Sequence, residues 1–243
     1  MVKRILNCCF FALVIILNYL ANALPINGKN TGELSDQYPN LFVPAGVTFS
    51  IWGLIYLLLL IFCVIQFRKQ YDNLMNKLSI WFMINCALNA SWILAWHYEF
   101  VALSLLIMLG ILFTLVAIVK ILHQHTPVLM QVAFGIYLGW ICIATIANIT
   151  ALLVTVGWSG LGLSQEVWTI TMILVGSVVA STVMLRLGNP FMALSLLWAF
   201  LGIIIKRQDD YFSIVVACIA AMMIVVAAAL FTFRNRRAAV HAQ

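Results

Sequence analysis

Residues 78–96 read LSIWFMINCALNASWILAW, and this stretch decides the fold because it is apolar, uncharged and long enough to cross a bilayer as a helix. It contains two carboxamides, Asn85 and Asn89, and a third, Asn148, lies in a later apolar run. A carboxamide in hydrocarbon is costly unless it finds a hydrogen-bond partner. These side chains therefore predict an interior that several membrane helices share.

The composition extends this prediction to the whole chain. Hydrophobic residues make up 65% of the 243 residues, charged residues make up 8%, and the mean hydropathy is +1.10. No soluble domain of this size could bury so much apolar surface, so we predict an all-α polytopic transmembrane bundle. Eight apolar runs are candidate spans, of which the seventh is the shortest: 5–23, 45–67, 78–96, 101–122, 128–156, 167–186, 190–205 and 211–233. The short connections after 96 and 186 predict antiparallel hairpins.

The distribution of basic residues predicts the orientation. With a cytoplasmic N-terminus and eight spans, only Lys29, Lys206 and Arg207 of the 13 basic residues lie outside. The remaining ten lie inside: Lys3, Arg4, Arg68, Lys69, Lys77, Lys120, Arg186, Arg234, Arg236 and Arg237. This asymmetry follows the positive-inside rule and predicts an integral protein of the cell membrane with both termini cytoplasmic. The net charge of +6 then reflects orientation and implies no nucleic-acid partner.

The first apolar run has two interpretations. Lys3-Arg4, an apolar stretch and Ala21-Asn22-Ala23 resemble a signal peptide with a small-residue cleavage site. Cleavage would leave seven spans, whereas retention leaves eight, and the charges of the later loops fit both. We favour the retained helix.

Aromatic and amide side chains share helical faces on three of the runs. On a helical wheel, the residues of each set fall within about 60–80° of arc. The sets are Trp52, Ala45, Tyr56 and Phe49; Trp81, Trp92, Asn85, Trp96 and Asn89; and Trp140, Ala144, Tyr137 and Asn148. Tryptophan is also common at membrane interfaces, and asparagine often only joins helices. Taken together, however, these faces predict one polar-aromatic cavity suited to a flat, mostly apolar ligand.

Signals for catalysis or metal binding are weak. No acidic or basic side chain lies at mid-depth of a span, which argues against a proton relay or ion-coupled pump. A contact of His97 and Glu99 with haem or a metal is conceivable, but an ordinary polar turn is the commoner arrangement. His123-x-His125 does not place both imidazoles on one helical face, and the six cysteines have no metal-binding spacing. We therefore predict no catalytic residue and no metal site.

Two further features leave alternatives open. The connection 24–44 could fold over the cavity as a lid or could be a plain linker. Gly135-x-x-x-Gly139 offers a face of small residues, which serves either internal helix packing or a homodimer.

Three motifs resemble the tryptophan-rich sensory protein (TspO/MBR) family, whose animal members are the translocator proteins. VPAGVTFSIWGLIY (43–56) is similar to that family's Pro-Pro…Trp-x-x-Leu-Tyr helix, with Ile55 in place of Leu. LNASW (88–92) matches Leu-Asn-x-x-Trp, and Asn85 stands where glutamine is usual. WICIATIAN (140–148) matches Trp-x-x-Phe-Ala-Thr-x-Leu-Asn except at Ile143 and Ala147.

The resemblance implies a five-helix core over residues 1–157, with residues 158–243 adding three helices and a basic cytoplasmic tail. It implies a pocket that binds porphyrin, haem or sterol-like ligands beneath the connection 24–44, with no obligatory cofactor. Combining the family motifs with the helical faces, the expected ligand-binding residues are Pro44, Phe49, Trp52, Tyr56, Asn85, Asn89, Trp92, Trp140, Ala144 and Asn148.

A non-enzymatic membrane sensor or receptor for such a ligand is the leading functional hypothesis. The alternative is a transporter or permease for apolar or amphipathic molecules. Porphyrin-degrading activity, attributed to some members of the family, finds no visible acid or base in this sequence. The predicted partners are the lipid bilayer and the hydrophobic ligand.

Overall fold

The computed structural model describes residues 1–24, 26–123 and 128–241, without the side chains of 123 and 237–241. His123-x-His125 therefore lies outside the described side chains. Over the described residues the chain is helical, without β-strands, and an all-α bundle is confirmed. The helices are α1 (Val2–Ala23), α2 (Thr31–Asp36), α3 (Ile51–Ile65), α4 (Asp72–His97), α5 (Val101–His123), α6 (Val128–Thr155), α7 (Gln165–Leu187), α8 (Met192–Arg207) and α9 (Phe212–His241).

Seven of the described helices are long and apolar enough to cross a membrane, and α8 is the predicted span that falls short. With 16 residues, α8 is about 24 Å long. Its ends nevertheless reach opposite ends of the bundle. Asn189, just before α8, donates to the carbonyl of Gln131 in the first turn of α6, whereas Arg207 donates to carbonyls of the connection between α1 and α3. We call the end with that connection the roof end and the opposite end the base end.

The helices α1, α3, α4, α5 and α6 do not pack in chain order. Helix α4 packs against α1 and α5, α5 packs against α6, and α3 packs against α6. The hairpin of α4 and α5 is closed by a tight turn in which Phe100 N donates to Ala95 O and Glu99 takes a φ of 60°. The predicted antiparallel hairpin therefore forms there.

The second predicted hairpin is only partly formed. Gly188 ends α7 in the left-handed region, with φ 59° and ψ 30°, a backbone conformation that glycine adopts without steric cost. The chain reverses, but α9 packs extensively against both α7 and α8, so these two helices touch little. The short connection predicts the turn between α7 and α8. It does not predict that α9 packs between these two helices.

The small-residue face of α6 lies inside the chain. A Cβ added at Gly135 would collide with Asn189, and one at Gly139 would collide with Ser195 and the carbonyl of Met192. Glycine at these two positions therefore lets α8 approach the backbone of α6 closely. This seam is internal packing, so it is not a face through which a second copy could bind.

Polar side chains join α1, α3 and α4 at the base end. The buried amide of Asn7 is hydrogen-bonded to the Gln66 amide over 2.8 Å and to the Ser79 hydroxyl over 3.0 Å. Arg4 forms an ion pair with Asp72 in the same region. These groups satisfy one another and fix the base end of the bundle.

Candidate functional site

A short helix forms the roof of the site. Helix α2 begins with a capping box, in which the Asn30 side chain accepts hydrogen bonds from the backbone of Gly32 and Glu33, and the Glu33 carboxylate accepts one from Asn30 N. The helix lies on the end of α4, where the ring centroids of Tyr38 and Trp96 are 5.5 Å apart. Residues 26–44 of the connection 24–44 are thus folded over the bundle, which favours the lid over the plain linker.

Helix α8 fastens the other side of this roof. Arg207 Nη2 donates to Asn40 O over 2.8 Å and its Nε donates to Leu41 O over 3.1 Å. Lys206 Nζ lies 2.7 Å from a carboxylate oxygen of Asp36. The roof is therefore fixed by contacts with α4 on one side and α8 on the other.

Two titratable groups at the roof have shifted pKa values. Burial, and then the charge of Glu99, raise the pKa of Tyr38, so its phenol is neutral at physiological pH. Burial lowers the pKa of Arg207, while Tyr211, Asp210 and Asp36 act in the opposite direction. Because an arginine loses its proton only at a pH far above the physiological range, Arg207 remains a cation at physiological pH.

A narrow inner cavity lies beneath the roof. Its volume is about 50 Å³. The roof contributes Thr31, Ser35, Asn40, Val43 and Pro44; the helices contribute Phe49, Trp52, Trp92, Trp96, Trp140, Ile143, Ala144, Ala147, Asn148 and Ala151. Indole rings and small aliphatic side chains dominate this lining.

A larger outer cavity adjoins it. Its volume is about 540 Å³. Helix α1 contributes Ile15, Asn18, Tyr19 and Asn22; the roof contributes Asn30, Thr31, Gly32, Glu33 and Asp36; the remaining residues are Gly46, Phe49, Trp52, Tyr56, Trp92 and Ile93. Thr31, Phe49, Trp52 and Trp92 line both cavities.

Most of the expected ligand-binding residues gather at these cavities. The inner cavity takes Pro44, Phe49, Trp52, Trp92, Trp140, Ala144 and Asn148, and the outer cavity takes Tyr56. The rings of Trp52 and Tyr56 stack with centroids 5.4 Å apart, and Trp140 meets Trp52 edge to face at 6.2 Å. Ligand binding by these residues stays a prediction, but their common location is a property of the fold.

Asn148 orients an indole. Its Oδ1 accepts a hydrogen bond from Trp92 Nε1 over 3.3 Å, and its Nδ2 donates to the Ser104 hydroxyl over 3.0 Å. The carboxamide is thus satisfied by two other helices, α4 and α5. It holds the Trp92 ring in place against the cavity.

Asn89 is adjacent to the cavities but does not line either of them. It is 2% exposed; its Nδ2 donates to Tyr137 Oη over 2.8 Å, and its Oδ1 accepts from Asn18 Nδ2 over 3.1 Å. The amide therefore ties α1, α4 and α6 together behind the aromatic rings.

Asn85 was expected in the shared cavity, and the structure places it elsewhere. Its Nδ2 donates to the Thr114 hydroxyl of α5 over 2.8 Å. Trp81, one turn away, also faces α5, where its ring meets Phe113. Helix α4 is packed against α1 on one side and α5 on the other. Residues that share one face of α4 in a helical-wheel projection can therefore contact different neighbouring helices. Asn85 joins two helices and lies outside the site.

His97 does not contact the cavities either. It is fully buried at the end of α4, and its Nδ1 lies 2.8 Å from the carbonyl of Ile93 in the same helix. It lines neither cavity. The position offers no contact with a ligand of the site, and Glu99 is paired with Lys29 on the surface.

Three phenylalanines lie between the site and the base end. The ring centroid of Phe62 is 4.9 Å from that of Phe82 and 5.1 Å from that of Phe134, and all three rings are buried. Along their helices these residues are farther from the roof than Trp52, Trp92 and Trp140. They form an apolar floor beneath the site.

Three buried polar atoms at the site have no hydrogen-bond partner among the described residues. Trp140 Nε1 belongs to a side chain that is 3% exposed, and Thr31 Oγ1 lies on the roof. Tyr56 Oη, at the outer cavity, likewise has no hydrogen-bond partner among the described residues. Such groups are rare because burial without a hydrogen bond is costly, so they are candidates for contact with a ligand.

Sequence reasoning missed most of the residues that α1 and the roof contribute to the site, and Asn18 and Thr31 are two examples. Asn18 lines the outer cavity and bonds to Asn89, and Thr31 lines both cavities. Asn18 and Asn22 are four residues apart in the first apolar run, which could have revealed a polar face on α1. Thr31 carries no comparable signal, because hydroxyl residues are common in connections.

Comparison with known proteins supports the resemblance seen in the motifs. A family model described as "TSPO-like protein" matches residues 4–231, which extends beyond the five-helix core through α7 and α8 into α9. Comparisons with curated proteins and with solved structures gave no match. Because the match spans nearly the whole chain and the apolar helices form a polytopic bundle, this integral membrane protein belongs to the TSPO-like protein family.

Proposed function

We propose that the protein is a membrane sensor or receptor that binds a flat, mostly apolar ligand, such as a tetrapyrrole, haem or a sterol-like molecule, at the roof end. The observation that carries the proposal is the pair of adjoining cavities faced by the indoles of Trp52, Trp92 and Trp140. Aromatic faces supply affinity for a flat ring system, and a few fixed polar groups orient it. Under this proposal the protein needs no obligatory cofactor.

The amide network supports binding with a preformed geometry. Asn148 fixes Trp92, and Asn89 fixes Tyr137, so the rings are held before a ligand arrives. Preorganised side chains lose less conformational entropy on binding, which favours affinity. This role differs from direct contact between the amides and the ligand.

The cavity lining supports a receptor more than an enzyme. The inner cavity contains no acidic, basic or histidine side chain among its lining residues. Glu33 and Asp36 line the outer cavity, but the first completes a helix cap and the second is paired with Lys206. General acid–base chemistry at the indoles would thus lack a free proton donor or acceptor.

The apolar floor supports binding more than passage. A transporter needs a path that opens toward both sides of the membrane, and the packed rings of Phe62, Phe82 and Phe134 lie on the base side of the site. Helix α1 borders the outer cavity, so a hydrophobic ligand has an approach beside α1. We place the protein in the cell membrane with both termini cytoplasmic, following the basic residues.

Ligand titration with tryptophan fluorescence tests the proposal. The purified protein in nanodiscs is titrated with protoporphyrin IX and separately with its dimethyl ester, and saturable quenching by at least one of them is expected. Trp92→Phe combined with Asn148→Ala should weaken that binding about tenfold, because the ring loses its fixed orientation.

Trp81→Phe is the matched control, because Trp81 packs on Phe113 away from the cavities. It should leave the dissociation constant unchanged. Absence of saturable quenching by both porphyrins, or equal binding by wild type and the double variant, would contradict the proposal.

A further inference from the structure

The cavity sizes divide the site into two compartments with different occupants. The inner cavity of about 50 Å³ is far smaller than a typical small-molecule site of roughly 300–1,000 Å³, whereas the outer cavity of about 540 Å³ lies within that range. A ring system therefore fits only the outer cavity. A small substituent at its leading end is all that the inner cavity can accept.

A buried hydrogen-bond donor belongs to Trp140, which lines the inner compartment. Trp140 Nε1 is buried without a partner among the described residues, whereas Asn148 already bonds to Trp92 and Ser104. An indole N–H can only donate, so its partner must be an acceptor. The leading substituent of the ligand should thus carry a carbonyl, hydroxyl or ether oxygen.

The charges around the outer compartment have one sign. The charged side chains among its lining residues are Glu33 and Asp36, and no lysine, arginine or histidine lines either cavity in the described part of the chain. Lys206 is paired with Asp36, and Glu33 forms no ion pair with any side chain that the structure describes. A carboxylate on the ligand would face repulsion and would lose hydration without gaining a cation.

From these observations we infer that the ligand is a neutral, flat polycyclic amphiphile with a hydrogen-bond acceptor at its leading end, which binds Trp140 Nε1, and that Glu33 discriminates against dicarboxylic tetrapyrroles. This inference rests on the proposed function and narrows its ligand class. It excludes the free-acid porphyrins as the preferred ligands, although their ring shape suits the site.

The charge component is tested with a pair of probes that share one ring. Protoporphyrin IX carries two carboxylates, and its dimethyl ester carries none. The wild type should bind the ester at least tenfold more tightly. Glu33→Gln should tighten binding of the acid about fivefold at low salt and leave the ester unchanged, because glutamine keeps the capping box and removes the charge.

Comparing the same probe in wild type and Glu33→Gln cancels differences in how the two probes partition into lipid. Added salt should narrow the gap in the wild type, since screening weakens the repulsion. The charge inference is overturned if the acid binds as tightly as the ester in wild type, or if Glu33→Gln leaves the acid unchanged. If neither porphyrin binds, the proposed function fails as a whole, which is a distinct result.

The acceptor component is tested with a sterol ketone and its parent hydrocarbon, by radioligand binding in nanodiscs. Trp140→Phe keeps an aromatic ring and removes the N–H. Affinity for the ketone should fall about tenfold, to the level of the hydrocarbon, whose own affinity should not change. A Trp140→Phe variant that weakens both ligands equally would overturn the acceptor role, because that pattern indicates lost ring packing.

Discussion

The base end and the roof end of this bundle both place polar side chains among apolar helices, but the two groups are satisfied differently. At the base end, Asn7, Gln66 and Ser79 bond to one another. At the roof end, Asn148 and Trp92 bond to each other beside a cavity, while Trp140 Nε1 has no partner in the part of the chain that the structure describes. A polar residue in a membrane helix therefore joins helices when all its hydrogen-bond partners are internal, and it indicates a binding site when a donor without a partner lies beside a cavity.

Filling the inner cavity should produce the largest effect and should act on binding alone. Ala144→Leu adds volume to a space of about 50 Å³. We expect ligand affinity to fall roughly 30-fold, which corresponds to about 2 kcal/mol, with little change in thermal stability. Binding in nanodiscs and the unfolding temperature check these two expectations on the same sample.

Ala102→Phe serves as the control, because Ala102 is exposed at the start of α5. It should bind ligand as the wild type does. If Ala144→Leu bound normally, the inner cavity would have no part in recognition.

At the base end the effect should fall on stability. Gln66 is fully buried, and its Nε2 donates to the carbonyl of Cys63 over 3.1 Å while its Oε1 meets Asn7. Gln66→Ala leaves these partners unsatisfied, so we expect a loss of about 1–2 kcal/mol of unfolding free energy. Ligand affinity should stay the same, as measured on the folded fraction. A large loss of affinity would mean that the two ends are coupled.

Weakening the contacts of the roof should change the rate of ligand dissociation. Arg207→Gln removes the charged donor from the carbonyls of Asn40 and Leu41, so the roof should open more easily and ligand dissociation should be about fivefold faster. Stopped-flow release into excess competitor measures this rate. Lys206→Gln loses only a partly exposed ion pair and should change the rate less. Equal rates in wild type and Arg207→Gln would indicate that the roof does not control release.

The smallest expected effect is that of replacing Asn85. This variant tests whether a residue of α4 that joins two helices also contributes to ligand binding. Asn85→Ala removes the bond to Thr114 and should cost about 0.6 kcal/mol of stability. Ligand affinity should not change. An affinity loss comparable with that of the Trp92→Phe and Asn148→Ala double variant would place Asn85 in the site after all.

The sequence predicts the helices well and their neighbours poorly. Apolar runs of membrane length locate the long helices, since their lengths are set by the bilayer. The helical faces also bring Trp52, Trp92 and Trp140 to one site. The same reasoning fails for Asn85. A helix that is surrounded by other helices has several buried faces, and the helical periodicity of its sequence does not identify the neighbour that each face contacts.

The neighbours of α8 are likewise not predictable from the sequence alone. Glycines 135 and 139 predict close packing, but only the structure identifies α8 as the helix that fills the seam. The hydrogen bonds from Arg207 to the roof join residues more than 160 positions apart in the chain, as their separations of 166 and 167 show. No local pattern encodes a contact of that kind.

Photoaffinity labelling tests the central claim most directly, because it identifies the residues that touch a bound ligand. A neutral sterol ketone carrying a diazirine is photolysed with the protein in nanodiscs, and the labelled peptides are identified by mass spectrometry. We predict labels around Trp52, Trp92 and Trp140, which excess unlabelled ketone abolishes. Competed labelling confined to α7 and α9, or to the base end around Asn7 and Gln66, would contradict a binding site at the roof end.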